Sequence, residues 1–202
     1  ALMTFHGNNK SREELDEAIS AGVGHIAIDN FHELAMVAEI GEQRGAPVPV
    51  LLRLNPGIDV HTHTKIATGV NDSKFGFPVW EGSAARAVCQ ASKAAGLRLD
   101  GYHLHIGSQL LDWEGYRLAI ETALAFAGEM KREHGIEPAI FSPGGGFGIA
   151  YTEKMAEPDV DAWAAAAAEA VRVCCERHDL ALPELIIEPG RTLVGPAGVA
   201  LY

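Results

Sequence analysis

Short apolar runs and longer amphipathic runs take turns along the chain. The short runs have the length and composition of buried strands, and they occupy residues 1–5, 25–29, 48–54, 99–106, 139–142 and 184–188. Between them, apolar residues recur at helical spacing in residues 11–22, 30–45, 83–95, 113–134 and 160–177. This regular alternation of strand and helix predicts an α/β fold with a parallel sheet.

Several boundaries between these segments carry recognisable signals. Ser11, with Glu14 three residues later, predicts a capping box, and Asn30 predicts the N-cap of the second helix. Residues 48–54 are almost continuously apolar, which is typical of a strand whose two faces are both covered. Residues 55–77 form an unusually long connection, and long ordered loops are usually functional.

The number of strand units favours one α/β architecture over another. A complete (β/α)8 TIM barrel needs about 250 residues, whereas this chain has 202 residues and six strand units. A doubly wound sheet is the alternative, but it would collect its ligand signals at one switch point. Here nearly every strand ends in polar residues. We therefore predict an incomplete (β/α)8 TIM barrel of parallel strands, entered from upstream at residues 1–5 and cut off within residues 198–202.

Composition and charge narrow the function classes. The 16 Lys plus Arg against 27 Asp plus Glu give a net charge of −11, which disfavours binding to nucleic acid or to an anionic membrane. No apolar run reaches the roughly 18 residues of a transmembrane helix, and no signal peptide is found. The cysteines Cys89, Cys174 and Cys175 are odd in number and two are adjacent, so we expect no disulfide framework and a cytoplasmic location. A small soluble molecule is the expected partner.

Two strand ends carry groups that could bind the charged parts of a ligand. Gly144, Gly145 and Gly146 follow a strand, where backbone N–H groups could cradle a phosphate, although three glycines can equally form a tight turn. Glu188 ends another strand, and Arg191 follows after a turn. This pair is either a local ion pair at the rim or a carboxylate and a guanidinium that grip one ligand.

Four histidines stand in two pairs at i, i+2 spacing, His61 with His63 and His103 with His105. Such pairs can bind a metal, but no further ligand type accompanies them at a characteristic spacing, so we predict no metal site. We expect His103 to be a hydrogen-bonded core residue. His105 lies next to Gly107 and Ser108, which favours a position facing a ligand.

Six motifs together are characteristic of one enzyme family. They are His6-Gly-Asn-Asn-Lys10-Ser11, His61-Thr-His63-Thr-Lys65-Ile-Ala-Thr-Gly69, Asp72-Ser-Lys-Phe-Gly76, His105-Ile-Gly-Ser-Gln109, Gly144-Gly-Gly146 and Glu188-Pro-Gly-Arg191. In this order, and across essentially the whole chain, they resemble the diaminopimelate decarboxylases. That family belongs to the alanine-racemase-like, fold type III enzymes, whose cofactor is pyridoxal 5'-phosphate.

The resemblance assigns roles around the cofactor ring. Glu188 is similar to the acid that pairs with the pyridine nitrogen, and His105 is similar to the imidazole stacked on the ring face. Arg53 resembles the strand-end arginine that supports this histidine. Residues 61–76 resemble a mobile loop over the active site.

The resemblance also assigns a phosphate cup and a substrate contact. Ser108, Gly144, Gly145, Gly146 and Arg191 are similar to the residues that hold the cofactor phosphate. Arg191 is in addition similar to a residue near a substrate carboxylate. His105 and Glu188 are thus the implied catalytic residues of this chain.

The implied activity is that of a pyridoxal-phosphate-dependent carboxy-lyase of lysine biosynthesis. It would convert meso-diaminopimelate to L-lysine and carbon dioxide, as a cytoplasmic homodimer. One alternative is a decarboxylase of another basic amino acid, namely ornithine, arginine, lysine or carboxynorspermidine. A second alternative is a noncatalytic, regulatory barrel that binds the same cofactor.

The resemblance further implies that two catalytic groups lie outside this chain. The Schiff-base lysine of the family lies on the first barrel strand, and its cysteine acid lies in a C-terminal β-domain. Residues 1–197 would then be the cofactor-binding barrel and residues 198–202 the start of the β-domain, and the chain alone would be inactive. Lys10, Lys65 and Lys74 lie in predicted loops, so none is expected to replace the missing lysine.

Overall fold

The computed structural model describes residues 3–59, 64–65 and 75–199. Its strands are β1 (Thr4–Phe5), β2 (His25–Ile28), β3 (Val48–Asn55), β4 (Ile58–Asp59), β5 (Thr64–Lys65), β6 (Phe77–Pro78), β7 (Leu97–His103), β8 (Ile140–Gly145) and β9 (Glu184–Glu188). Its helices are α1 (Arg12–Ser20), α2 (Phe31–Arg44), α3 (Ser83–Lys93), α4 (Trp113–His134), α5 (Val160–Arg177) and α6 (Gly190–Val194), followed by a 3-10 helix, Gly195–Ala197.

One parallel sheet organises the chain. Its strand order is β1-β2-β3-β7-β8-β9, and β6 adds a short parallel pairing to the end of β3. The long strands follow one another in chain order, without the reversal that a doubly wound sheet requires. Helices α1 to α5 alternate with these strands, so the structure confirms the predicted incomplete (β/α) barrel.

Local signals in the sequence account for where the helices begin and end. The Ser11 side chain and Glu14 form the reciprocal capping box of α1, as predicted. Asn30 caps α2, also as predicted, and Gly45 ends that helix in the left-handed conformation at φ 64°. The bounds of α4 and α5 coincide with the predicted helices, because each has an aspartate N-cap and a continuous apolar face.

The core lies between the inner strands and the helices that cover them. Val50, Leu51 and Leu52 of β3 are fully buried, which confirms that both faces of this strand are covered. Helices α4 and α5 pack together, and Cys174 and Cys175 are buried on α5. In the part of the chain that the structure describes, no helix has both the length and the apolar character that crossing a membrane requires.

Two predicted strands end at different residues from those expected. The strand predicted over residues 99–106 ends at His103, because the regular pairing with β8 ends at His103 and Ser142. The strand predicted over residues 139–142 continues to Gly145, because Gly144 and Gly145 still pair with β9. As a result, His105 lies beyond its strand, whereas two of the three glycines lie within theirs.

The long connection after β3 is described only in part. Strands β4 and β5 form an antiparallel pair within it. Most of the predicted loop over residues 61–76, including His61, His63 and Lys74, lies outside the described residues. The predicted role of this loop over the active site therefore stays a prediction.

Candidate active site at the carboxyl ends of the strands

The predicted site residues gather at one end of the sheet. Because the six strands in the order β1-β2-β3-β7-β8-β9 are parallel, their carboxyl ends meet at a single rim. His6 follows β1, Arg53 lies near the end of β3, and Glu188 is the last residue of β9. This placement follows from the strand order and does not depend on how far apart the residues are in sequence.

The carboxylate of Glu188 is the centre of a polar cluster. The Ser142 hydroxyl donates to Glu188 Oε1 at 2.9 Å. His6 Nε2 lies 3.4 Å from Oε1, and His103 Nε2 lies 3.4 Å from Oε2. The two imidazole rings lie against each other with centroids 4.6 Å apart. Strands β1, β7, β8 and β9, or the residues next to them, thus each contribute one side chain.

The charge state of this cluster follows from burial and from its neighbours. Burial alone would raise the pKa of Glu188, but His103 and His6 hold that pKa well below its ordinary value. Burial lowers the pKa of His103. It also lowers the pKa of His105, and the positive charge of Arg53 adds to that effect. Near neutral pH the site therefore presents an ionised carboxylate at Glu188, and burial favours the uncharged forms of His103 and His105.

The three glycines allow the end of β8 to lie directly against neighbouring backbone. Gly144 and Gly146 have φ values of 75° and 89°, in the left-handed region that favours glycine. A Cβ atom on Gly144 would lie 2.3 Å from the carbonyl oxygen of Leu104, and one on Gly146 would lie 2.0 Å from that of Gly107. On Gly145 it would lie 1.8 Å from the carbonyl oxygen of Glu188. The glycines therefore bring the segment that carries His105 and Ser108 next to β8 and β9.

Arg191 is held over the same segment by two polar side chains. Its Nη1 atom donates to the Tyr151 hydroxyl at 2.5 Å and to Gln109 Oε1 at 3.4 Å. Gln109 in turn donates through Nε2 to the carbonyl of Ile149 at 2.7 Å, and its Oε1 accepts from the Ile149 N–H at 3.3 Å. The guanidinium is exposed, and Gln109, which accepts a hydrogen bond from it, directly follows Ser108 in the sequence. The predicted phosphate residues are thus together in space.

Arg53 lies at the same rim, near the end of β3. Its Nη1 atom donates to Asp29 Oδ1 at 3.0 Å, and the guanidinium lies over the Phe75 ring at 4.6 Å. The positive charge of Arg53 contributes to lowering the pKa of His105. The predicted support of His105 by Arg53 through a direct contact stays a prediction.

Sequence reasoning missed several members of this site. His6, Ser142 and Asp29 were not among the predicted site residues, although His6 and Asp29 directly follow β1 and β2 and Ser142 lies within β8, at the end of the strand predicted over residues 139–142. That position is the signal that could have identified them, since strand ends converge in a parallel barrel. Lys10 is buried, and its ammonium forms an ion pair with Glu33 Oε1 at 2.7 Å.

Several known proteins with similar sequences or structures are diaminopimelate decarboxylases. The diaminopimelate decarboxylase of Halalkalibacterium halodurans is 43% identical over 198 residues, which are 98% of this chain and 45% of that protein. The crystal structure of diaminopimelate decarboxylase from M. jannaschii in complex with L-lysine matches 94% of this chain and 43% of that one, at 34% identity and a TM-score of 0.84. The enzyme from Helicobacter pylori complexed with L-lysine matches 94% of this chain and 45% of that one, at 30% identity and a TM-score of 0.78.

The chain therefore spans less than half the length of these relatives. A family profile described as the pyridoxal binding domain of pyridoxal-dependent decarboxylases matches residues 2–195. This match covers nearly the whole chain and includes every strand and helix at the rim. The chain thus belongs to the pyridoxal-dependent decarboxylases, and its residues 2–195 match the model of their pyridoxal binding domain.

Proposed function

We propose that the protein containing this chain decarboxylates meso-diaminopimelate to L-lysine and carbon dioxide, with pyridoxal 5'-phosphate as its cofactor. The observation that carries the proposal is the ionised carboxylate of Glu188 at the rim, held by Ser142, His6 and His103. The similarity to diaminopimelate decarboxylases along 98% of the chain supports this substrate. So does the L-lysine bound in two related structures, because L-lysine is the product of this reaction.

The described residues fit a ring with a basic nitrogen and a phosphate group. An ionised carboxylate that is partly open to solvent can accept a hydrogen bond from a protonated ring nitrogen, and 29% of the Glu188 side chain is exposed. On the Arg191 side of the rim, the exposed Ser108 hydroxyl and the guanidinium can bind a phosphate dianion. Gly144 to Gly146 keep the backbone between these two groups free of side chains.

The role of Glu188 would be to keep a proton on the ring nitrogen. When bound, the cofactor accepts the electrons left behind as the substrate loses carbon dioxide. An ionised acceptor next to the nitrogen favours the protonated form of that nitrogen. Ser142 would keep one oxygen of the carboxylate oriented toward the site, since its hydroxyl donates to Oε1.

His105 would position the aromatic ring of the cofactor, and Arg191 would position the substrate. An exposed, uncharged imidazole beside Gly144 offers a flat surface against which an aromatic ring can stack. The Arg191 guanidinium is pre-oriented by Tyr151 and Gln109 and can pair with a substrate carboxylate in a bidentate manner. Both roles are proposals for the intact enzyme.

Assembly and location are also part of this proposal. We infer a homodimer from the apolar residues Leu193 and Val194, which are 74% and 68% exposed beside Arg191. A reducing cytoplasm is proposed because Cys89, Cys174 and Cys175 are free thiols. The Schiff-base lysine and the cysteine acid are proposed to lie in the remainder of the protein, with residues 1–197 as the cofactor-binding barrel.

The test is carbon dioxide release by the full-length protein from a panel of amino acids. Release from meso-diaminopimelate, with L-lysine as the second product, is the expected result. Ornithine, arginine and L-lysine serve as competing substrates in the same assay. Release from ornithine but not from meso-diaminopimelate would refute the substrate, and cofactor binding without any release would favour a regulatory barrel.

A further inference from the structure

We propose that His6, His103 and Glu188 form a binding site for a transition-metal ion of the Zn²⁺ type in the chain without its cofactor. The three side chains come from the ends of β1, β7 and β9, and no two of them are close in sequence. Among the described residues, this is the group of His, Cys, Asp and Glu side chains whose ligand atoms come close enough to share an ion. The proposal goes beyond the decarboxylase function and does not depend on it.

The distances between the ligand atoms suit a tetrahedral ion. Zn²⁺ binds imidazole nitrogens and carboxylate oxygens at about 2.1 Å, so tetrahedral geometry separates neighbouring ligand atoms by about 3.4 Å. His6 Nε2 lies 3.4 Å from Glu188 Oε1, and His103 Nε2 lies 3.4 Å from the other carboxylate oxygen, Oε2. All three ligand atoms lie within 4.8 Å of one another. An ion could therefore bind with only small movements of these side chains.

The hydrogen bonding of His103 supports the same interpretation. The residue is 2% exposed, yet neither ring nitrogen makes a hydrogen bond of acceptable geometry. An imidazole nitrogen left unpaired at this depth costs free energy, typically about 1–3 kcal/mol. His103 Nε2 lies 3.4 Å from Glu188 Oε2, but its orientation does not allow an N–H group there to donate a hydrogen bond to this oxygen. A metal–nitrogen bond would satisfy this atom.

The carboxylate also has the outer support that metal ligands usually have. Ser142 donates to Glu188 Oε1 at 2.9 Å, and the Gly144 N–H donates to the Ser142 oxygen at 3.2 Å. Such outer hydrogen bonds fix the orientation of a ligating carboxylate. His6 and Glu188 keep 36% and 29% of their side chains exposed, so an ion can enter from solvent and keep a water as its fourth ligand.

The chemistry of the ligands selects the class of ion. Two imidazoles and one carboxylate favour Zn²⁺, Co²⁺ or Ni²⁺ over Mg²⁺ and Ca²⁺, which prefer oxygen ligands. The net charge of −11 also favours cations. The positive charge of Arg53 also acts on His103, and it is already paired with Asp29.

A bound ion would occupy the carboxylate that the proposed function assigns to the ring nitrogen of the cofactor. The metal and pyridoxal 5'-phosphate should therefore exclude each other. This one consequence rests on the proposed function, whereas metal binding itself does not. Free Zn²⁺ would then slow cofactor loading of the newly made protein.

The experiment titrates the chelator-treated, cofactor-free protein with Co²⁺ and Zn²⁺. Tetrahedral Co²⁺ is followed by its visible absorption, and Zn²⁺ by calorimetry. We expect one ion per chain and at least about 10-fold weaker binding in Glu188→Gln and in His6→Asn. Ser142→Ala, which removes the outer hydrogen bond, should weaken binding by about 10-fold or more. Mg²⁺ should produce no signal.

Two control variants test where the ion binds. His32→Asn removes an exposed imidazole on α2 and should leave the affinity unchanged. His61→Asn/His63→Asn removes the predicted i, i+2 pair and should also leave it unchanged. Binding that survives Glu188→Gln and His6→Asn, or that is lost in the double variant, would overturn the proposal. Because His6 is exposed, its substitution should not prevent folding, and circular dichroism of every variant checks this.

Competition with pyridoxal 5'-phosphate separates the two proposals. If Zn²⁺ binds at the three residues but does not affect the uptake of the cofactor, the metal site stands and the assignment of Glu188 to the ring nitrogen fails. If the cofactor binds and Zn²⁺ does not, the metal site alone is refuted. Slower or weaker cofactor binding in Zn²⁺, reversed by a chelator, is the expected result.

Discussion

At the scale of single residues, Glu188 illustrates how neighbours decide the chemistry of a side chain. Glu184 begins the same strand and is exposed, whereas Glu188 ends it among two imidazoles and a hydroxyl. Burial and these contacts act in opposite directions on the pKa of Glu188, and the contacts prevail. The same residue type therefore serves as a solvated surface group at one end of β9 and as a functional group at the other.

Replacing Glu188 with glutamine should impair the intact enzyme far more than replacing Glu184. Glutamine keeps the shape but cannot supply the negative charge next to the ring nitrogen. We expect kcat to fall by about 100-fold or more in Glu188→Gln, a loss typical of a group that controls a proton at the reacting centre. Steady-state assays of carbon dioxide release measure this, with Glu184→Gln as the control. Equal activity of the two variants would contradict the role of Glu188.

The buried pair of Lys10 and Glu33 makes a second residue-scale prediction. The ammonium contacts Glu33 and donates to the carbonyls of Gly7 and Ala27 at 2.6 Å and 2.9 Å, and both side chains are almost completely buried. Burial raises the pKa of Glu33, and Lys10 opposes this increase. Lys10→Met should lower the free energy of unfolding by about 3–5 kcal/mol, because it leaves a buried carboxylate uncompensated.

Denaturant unfolding of Lys10→Met measures this loss. The matched variant is Lys10→Met/Glu33→Leu, in which both charges are removed together. It should recover much of the stability, since an apolar pair avoids the desolvation of charge. Equal stability of the two variants would show that the hydrogen bonds to the carbonyls, and not the ion pair, are what Lys10 contributes.

At the scale of elements, the end of β8 depends on the absence of side chains. Gly144 and Gly22 have nearly the same positive φ, 75° and 74°. A Cβ on Gly144 would meet a carbonyl oxygen at 2.3 Å, whereas one on Gly22 would meet nothing within 4 Å. The two positions thus separate the cost of a left-handed backbone from the cost of a steric clash.

Gly22→Ala should lower the free energy of unfolding by about 1–2 kcal/mol, the usual cost of an L-residue in this conformation. Gly144→Ala should lose at least about 1–3 kcal/mol more, because the strand has to move away from residues 104–107. Urea unfolding measures both variants. If the two losses were the same, the close approach of β8 to that segment would not matter for stability.

The amino-terminal part of the sheet is held by a different polar cluster. His25 of β2 reaches across β3, and its Nε2 lies 3.0 Å from Asp100 Oδ2 of β7. Arg98 donates to both oxygens of Asp100, at 2.7 Å and 2.8 Å. Burial alone would raise the pKa of Asp100, but the hydrogen bonds from Arg98 and His25 hold it below its ordinary value.

Asp100→Asn should therefore destabilise the protein in a pH-dependent manner. A carboxylate with a lowered pKa contributes stability above its unfolded-state pKa of about 3.9, and loses it as the pH falls through the folded-state value. We expect a loss of about 1–3 kcal/mol at pH 7 that narrows below about pH 4. Urea unfolding across this range measures it, with the exposed Asp161→Asn as the control. A pH-independent difference would exclude the ionic contribution.

At the scale of the whole molecule, the described sheet has two edges. Strands β1 and β9 each pair with one neighbour among the described residues, so their outer N–H and C=O groups have no strand partner there. We expect the 202-residue chain by itself to associate as its concentration rises. Sedimentation velocity of this chain and of the full-length protein tests this. A monomer at every concentration would contradict the prediction.

The sequence by itself determined the order of the elements and most of their bounds. Apolar periodicity identified six strands in the order in which the sheet uses them, and the signals at Ser11 and Asn30 located two helix starts. These features are local, because a cap or an amphipathic face depends on residues within a few positions of each other. The motif resemblance likewise identified the family and the residues to look for.

Only the tertiary structure decided which polar groups meet. His6, His103, Ser142 and Glu188 are separated by 39 to 182 positions, and no spacing rule connects them. They form one cluster because parallel strands bring their carboxyl ends to a single rim. Pairing with neighbouring strands also set where β7 and β8 end. As a result, His105 lies beyond β7, whereas Gly144 and Gly145 lie within β8. Contacts between distant segments set these features, so the local pattern could not contain them.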